Sequence, residues 1–400
     1  MSPDAKPVTA KMAPLPRAVW ALGLTSLFMD VSSEMIHSLL PVYLVVVLAS
    51  GGLWVGVIEG VAEGTAAFGK LFSGALSDRW RRRKPLALAG YSLAALSKPL
   101  FPLADSIALV FLARFLDRVG KGVRVAPRDA LIADVTPRDR TGAAYGLRQG
   151  LDTVGAIAGP LLAAALMAAT GNFRTVFWLA VPPAFLAVAV LAAMVREPPP
   201  ASVPAAAPRR LPLTRADLAR LGGACWALIA IGAVLSLARF SEAFLLLKSE
   251  SVGTATAAIP LVLVAMNLVY SLSAYPVGAL SDRIGRAGLL IAGLVVLALA
   301  NLTLSAAGDL VAVLGGAALW GLHMGLSQGL ITSLIADHAP VELRGTAFGA
   351  FHMSSGIALI AGGVIAGGLW DLVGPATTFL AGAALSLLPL VGVIAFNSRR

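Results

Sequence analysis

Four hundred residues, 58% of them hydrophobic and only 13% charged, with a mean hydropathy of +0.84, exclude an ordinary soluble protein, because soluble domains carry about 25% charged residues. The formal net charge of +10 does not point to nucleic acid, since most lysines and arginines flank apolar runs, where they set membrane orientation. The single cysteine, Cys225, excludes a disulfide framework and a cysteine-ligated metal centre, and in its apolar stretch it reads as a small core residue.

Apolar runs near the ~20 residues that a membrane-crossing helix needs predict spans at 18–48, 53–76, 85–104, 107–135, 142–168, 175–195, 218–247, 256–280, 287–307, 310–336, 345–369 and 376–396. Such runs do not fit an outer-membrane barrel, whose strands alternate over ~10 residues. The first run follows Lys6, Lys11 and Arg17. It is too long for a signal peptide's apolar core and lacks a small-residue cleavage site, so it is expected to remain as the first span. The fourth run carries Arg114, Asp117, Arg118, Lys121, Arg124 and Arg128. Each charge at the bilayer centre costs about 2.5–3.5 kcal/mol on insertion scales, so hydropathy alone rejects this run. Between spans six and seven, Pro198, Pro199, Pro200, Pro204, Pro208 and Pro212 mark a linker. The expected organisation is a six-helix bundle over 1–195, a linker over 196–216 and a second bundle over 217–400.

About twenty lysines and arginines fall on the termini, the linker and one set of alternating loops; Arg174 and Lys248 fall on the other set. This bias places both termini and the linker in the cytoplasm. A multi-pass protein of the plasma membrane, in a bacterium the inner membrane, is expected.

An internal repeat recovers the fourth span. Gly74-Ala-Leu-Ser-Asp78-Arg79 recurs as Gly278-Ala-Leu-Ser-Asp282-Arg283, and Leu131-Ile-Ala-Asp134 recurs as Leu334-Ile-Ala-Asp337, offset by 204 and 203 residues. Two segments at nearly one offset make the halves structural duplicates, with the fourth span partnering the apolar tenth. The run Gly278, Asp282, Arg283, Gly285, Arg286 resembles the signature loop of the major facilitator superfamily. The first copy departs from it, with Arg81 in place of a glycine. The resemblance implies an all-α membrane fold: twelve transmembrane helices in two pseudo-symmetric six-helix bundles around a cavity that opens alternately to each side. It also places Asp78 against the start of span eleven near Gly345, and by symmetry Asp282 near Gly142, when the cytoplasmic side is closed. Gly74, Asp78, Arg79, Gly278, Asp282, Arg283, Gly285 and Arg286 are therefore gating candidates.

Gly146, Gly155, Gly159 and Pro160, with Ala163 and Ala164, resemble the fifth-helix antiporter motif of the drug:proton efflux branch, which ends in Gly-Gly instead. Glycines allow close helix packing and an internal proline kinks a helix. Any close-packed membrane helix shows small residues at such spacing as well. The run from Arg114 to Gly122 matches the superfamily's fourth-helix motif only in part. Asp30-Val-Ser-Ser-Glu34 and Pro127-Arg128-Asp129 resemble a little-characterised prokaryotic branch, which supplies no substrate.

Ionisable residues inside a membrane face a bundle interior or a water-filled cavity and are functional candidates. At 100° per residue Asp30, Glu34 and His37 share one face of span one, Glu59, Glu63 and Lys70 one face of span two, and Arg148 and Asp152 are neighbours at i, i+4. The second half has chiefly Arg239, Glu242, His323 and His352. The bland reading is a buried salt-bridge network, because the signs nearly balance. Asp30 and Glu34 stand apart as like charges one turn from each other, the arrangement that tunes a carboxylate for proton exchange. Proton coupling is assigned to Asp30, Glu34, Arg114 and Asp117. The substrate cavity is assigned to His37, Glu59, Glu63, Arg118, Lys121, Arg124, Arg148, Asp152, Arg239, Glu242, His323 and His352. Span four is expected to be buried against spans one, two and five.

No nucleophile–base pair, phosphate loop or catalytic metal motif points to an enzyme, and no cofactor is expected. The leading expectation is a monomeric proton-coupled antiporter that exports a small molecule by alternating access, its partners being protons, the solute and the bilayer. Import of an organic anion is one alternative. Export of a divalent metal, held by Asp30, Glu34 and His37 with His323 or His352, is another. A non-transporting receptor lacks a ligand-binding domain outside the membrane.

Overall fold

The computed structural model describes residues 15–80, 82–197 and 215–398. The described residues form helices with short connections and no strand. Twelve long segments follow one another: α1 Arg17–Val47, α2 Gly52–Trp80, α3 Arg83–Leu103, α4 Ile107–Val135, α5 Thr141–Thr170, α6 Phe173–Met194, α7 Gly223–Ser251, α8 Leu261–Ile284, α9 Arg286–Ala306, α10 Leu310–His338, α11 Arg344–Leu372 and α12 Pro375–Ser398. By length and composition ten of them can cross a membrane. The other two, α2 and α4, carry the charges that lower their hydropathy and are recognised by their place in the repeat. The proline-rich stretch over 198–214 lies outside the described residues.

Local chemistry sets the connections. Gly171 takes a left-handed φ of 62° and ends α5, a conformation that costs glycine least. Asn172 then accepts the N–H groups of Arg174 and Thr175 at 2.9 and 3.3 Å and starts α6, satisfying donors that a helix start leaves orphaned. Asp309 does the same for α10 through the N–H of Ala312, at 2.8 Å.

The first six helices pack among themselves: α1 on α5 and α6, α4 on α2 and α3, and α3 on α6. The last six repeat the pattern with α7 on α11 and α12, α10 on α8 and α9, and α9 on α12. One expectation needs correction. α4 packs chiefly on α2 and α3, with only marginal contact to α1 and α5. Glycines decide this. Gly69 of α2 lies on Gly122 of α4, and Gly90 of α3 lies against Gly120 and Arg124 of α4, so that a Cβ at any of these positions would collide with backbone. Small residues let helix backbones approach where lipid gives no hydrophobic drive to associate.

Two helices are broken at matching places. α1 turns at Ser38–Leu39 after His37 and continues through a π-helical segment, Tyr43–Val47. α7 breaks over 239–242 before resuming at Ala243. His37 and Phe240 are 203 residues apart, the offset of the repeat. Interrupted helices at corresponding positions of two halves point to a binding site near the bilayer midplane.

The halves meet along α2 with α11 and α5 with α8. At the end away from the termini the seam is sealed: Gly56 lies on Gly363, Gly60 on Leu359 and Ile360, and Gly367 on Gly52. Asp371 of α11 accepts the N–H groups of Gly52 and Leu53 at 2.7 and 2.9 Å, capping α2 from the other half. Further in, Asn267 of α8 donates to the carbonyl of Ala156 on α5 at 3.0 Å, and Phe68 covers Gly356. Among the described residues the contacts stop at the termini end. A Cβ added at Gly142, Gly146, Gly150 or Gly345 would meet open space, and Phe72, Leu272 and Tyr275 are exposed. Among the described residues the seam is therefore closed at the far end and open at the termini end.

Candidate functional site

The charges of the first half gather around α4. Glu59 of α2 receives Arg114 of α4 at 2.6 Å, and both are about 1% exposed. Asp117 accepts Lys98 of α3 at 2.8 Å, with Arg118 at 3.4 Å and Arg114 at 3.9 Å. Lys98 also donates to Ser33 of α1, at 2.9 Å. His37 lies between two carboxylates, 3.5 Å from Glu34 and 3.7 Å from Glu59. Arg118 reaches Glu63 at 3.1 Å. A continuous chain of ionisable side chains thus runs from Glu34 through His37, Glu59, Arg114 and Asp117 to Lys98, joining α1, α2, α4 and α3. Buried charges persist only when paired and hydrogen-bonded, which is why four helices each contribute one sign or the other here.

Nearer the open end the site is looser. Arg128 is held by Asp129 at 3.0 Å and by Ser26 at 2.8 Å. Arg124 stacks on Tyr91 of α3, its guanidinium carbon 4.8 Å from the ring centroid, but its Nε and Nη1 have no hydrogen-bond partner. Arg148 pairs with Asp152 along α5 at 2.6 Å. Asp30, Lys70 and Lys121 are half-buried and, among the described residues, make no ion pair.

The glycines of the fifth-helix motif lie under the carboxylates of α1. A Cβ at Gly155 would touch the Cβ of Asp30, and one at Gly159 the Cβ of Glu34. Gly159 and Pro160 are buried, whereas Gly146 faces open space at the other end of the helix. In the second half Glu242, at the α7 break, is in electrostatic range of His37, Glu34 and Arg239. His352 of α11 is in range of Lys70 across the seam.

His323 departs from its cavity assignment. It is fully buried between α10 and α9, with Nδ1 2.7 Å from the carbonyl of Gly293 and Ser327 beside its ring. Backbone packing consumes this histidine, so it cannot reach α1. Among the described residues no three His, Cys, Asp or Glu side chains converge as metal ligands would. Of the gating candidates, Gly74 packs near Ala126, while the side chains of Asp78, Arg79, Asp282 and Arg283 lie outside the described residues. Gly285 adopts a φ of 88° before α9, a value that requires glycine. The repeat also sets two matching ion pairs at this end: Arg83 with Asp134 at 2.6 Å, and Arg286 with Asp337.

Sequence reasoning counted Lys98 and Lys70 among the membrane cations without assigning them to the site. It missed Asp371 altogether, although an acid a turn before the glycine that ends α11 carries the spacing of a polar anchor. The Major Facilitator Superfamily model matches residues 22–247 and 228–399, so its two matches together span almost the whole chain. The chain belongs to the major facilitator superfamily. Members of this superfamily are transporters, and this chain is a multi-pass membrane transporter and not an enzyme. An uncharacterised MFS-type transporter of Methanocaldococcus jannaschii is 29% identical over 381 residues, covering 94% of this chain and 93% of that one. The multidrug resistance protein MdtH of Proteus mirabilis is 32% identical over 130 residues, about 32% of each chain. Among solved structures a variant of the nucleoside transporter NupG superposes with a TM-score of 0.79 at 14% identity, covering 95% of this chain and 99% of the other. At that identity the likeness concerns the fold.

Proposed function

We propose that this major facilitator is a proton-coupled antiporter that exports a small molecule by alternating access, and that Asp30 is where proton and solute exchange. One observation carries the reading. Asp30 sits over Gly155 of the fifth-helix motif, its strongest charged neighbour is another carboxylate, Asp152, and no cation lies within ion-pair distance. A carboxylate that has no dedicated counter-ion and lies beside a second carboxylate takes up or releases a proton as its surroundings change. The relay from Glu34 through His37 and Glu59 to Arg114 and Asp117 then carries the change in charge to α2 and α4, the helices that shape the seam.

The two bundles, 1–195 and 217–400, move against each other with the stretch over 196–216 as tether. The Lys/Arg bias supports a plasma-membrane protein with cytoplasmic termini, so the open end of the seam faces the cytoplasm and the far-end seal faces outside. In this arrangement the carrier awaits its solute from within. Reconstitution in liposomes tests the reading: an imposed inward proton gradient should drive solute out, and Asp30→Asn should abolish that drive while the protein still folds and exchanges solute down its own gradient. Wild-type rates in Asp30→Asn under the gradient would remove Asp30 from the proton path.

A further inference from the structure

The unpaired charges near the open end of the seam fall on two walls. The first wall belongs to α2 and α4. Gly69 and Gly122 cross so closely that a Cβ on either would come within 2.8 Å of the other's Cα. Lys70 and Lys121 each neighbour one of these glycines in the chain. Each lysine is in electrostatic range of the other, and among the described residues neither has an ion pair or a side-chain hydrogen bond. Three residues along α4, Arg124 is 4% exposed yet leaves Nε and Nη1 without acceptors.

The second wall belongs to α1 and α5. Asp30 and Asp152 are neighbours, and Asp152 gives one oxygen to Arg148 but leaves Oδ1 buried without a donor. Asp30 also lies in electrostatic range of Arg124, Lys121 and Arg128, so the two walls act on each other. The other nearby charges are already occupied: Glu34 by His37, Glu63 by Arg118, and Arg128 by Asp129. Like charges held together with orphaned polar atoms are costly in a low-dielectric site; among the described residues the two lysines have no carboxylate within ion-pair distance, and on the acidic wall Arg148 meets one oxygen of Asp152 and leaves Asp30 unpaired.

We propose that the transported solute is a small zwitterion whose carboxylate or other oxyanion is held by Lys70, Lys121 and Arg124 while its basic amine is held by Asp30 and Asp152. The inference rests on the exchange reading above and supplies its chemistry. Amine and proton are both positive and compete for the same carboxylates, so loading one releases the other. A pure anion leaves the acidic wall unmet, and a pure cation leaves the lysines unmet.

Purified protein in neutral detergent tests this by thermal stabilisation. The probes are ω-amino acids of two to six carbons, each compared with the carboxylic acid and the amine of the same length at fixed ionic strength. At least one ω-amino acid should bind saturably, and about tenfold more tightly than its matched acid or amine, the scale of one charge-assisted hydrogen bond. Lys70→Gln with Lys121→Gln, and separately Asp30→Asn, should each remove that advantage. Lys70→Arg should keep it, and so should Lys84→Gln, whose lysine bonds the carbonyl of Ala192 away from both walls. Equal binding of the acid or the amine, wild-type binding by the double lysine variant, or no binding by any probe would overturn the proposal. Binding is read without a gradient, so a failed proton-drive experiment would leave this result standing, and the reverse also holds.

Discussion

Laid over one another at the repeat's offset of 203 residues, the two halves have the same helices and opposite interiors. Where the first half has His37, Lys98, Arg114, Asp117 and Arg118, the second has Phe240, Asn301, Ala317, Trp320 and Gly321. The ionic relay of one becomes an aromatic cluster in the other, with Phe240 5.7 Å from Trp320, 5.7 Å from Phe379 and 5.5 Å from Phe244 between ring centroids. Gly321, in place of Arg118, lets α10 rest on the Met266 carbonyl of α8. One architecture therefore tolerates either filling. Packing of small residues holds the helices in place, and the buried charges of the first half are an addition that fold alone does not require.

The contrast can be tested where it is largest. Arg114→Ala strips the cation from Glu59 and Asp117 and should cost about 3–5 kcal/mol, the scale for orphaning a buried charge. Adding Glu59→Leu should recover much of it, because removing both partners of a buried pair is often near neutral. Melting curves in detergent decide this. A single variant as stable as wild type would mean that the relay is not energetically closed. Transplanting the first half's residue into the second comes next. Phe240→His places a polar ring among aromatics and should destabilise by about 1–3 kcal/mol, the cost of an unsatisfied buried group. If it melts like wild type, the second interior is less apolar than its rings imply. The smallest effect is expected where the halves agree. Arg83→Gln and Arg286→Gln each break an ion pair in which both partners are partly exposed, and each should cost at most about 1 kcal/mol. Arg83→Gln should cost the more, because Arg83 also donates to the Ala130 carbonyl at 2.6 Å. The reverse order would show that the two loops are not equivalent.

Much of the fold was legible in the sequence. Eleven spans were read from their apolar runs, and the repeated Gly-Ala-Leu-Ser-Asp-Arg and Leu-Ile-Ala-Asp segments recover α4. Helical phase also placed Asp30, Glu34 and His37 on one face of α1 and Glu59, Glu63 and Lys70 on one face of α2. The partners of those charges were not legible. Span four was expected against spans one, two and five. The structure turns it toward α3 through Gly90 and Gly120, which brings Lys98 to Asp117. Phase along one helix says which residues share a face, but only the closest approach between backbones says which neighbour that face meets. His323 shows the same limit, since its role follows from a carbonyl 30 residues earlier in the chain. The fifth-helix glycines were singled out, but their place beneath Asp30 and Glu34 depends on how α1 and α5 cross.

The carboxylate of Asp371 has a consequence for an empty carrier. Helix α2 begins with N–H groups that are satisfied by a residue in the opposite half, so the start of the helix is complete only while the far end is shut. Opening that end exposes those donors to water and forfeits a cap of about 1 kcal/mol, roughly a fivefold weighting of one resting pose over the other. A carrier biased in this way has a home position. Without solute it rests more often with its mouth toward the side of the termini, a preference set by the geometry of a single helix end.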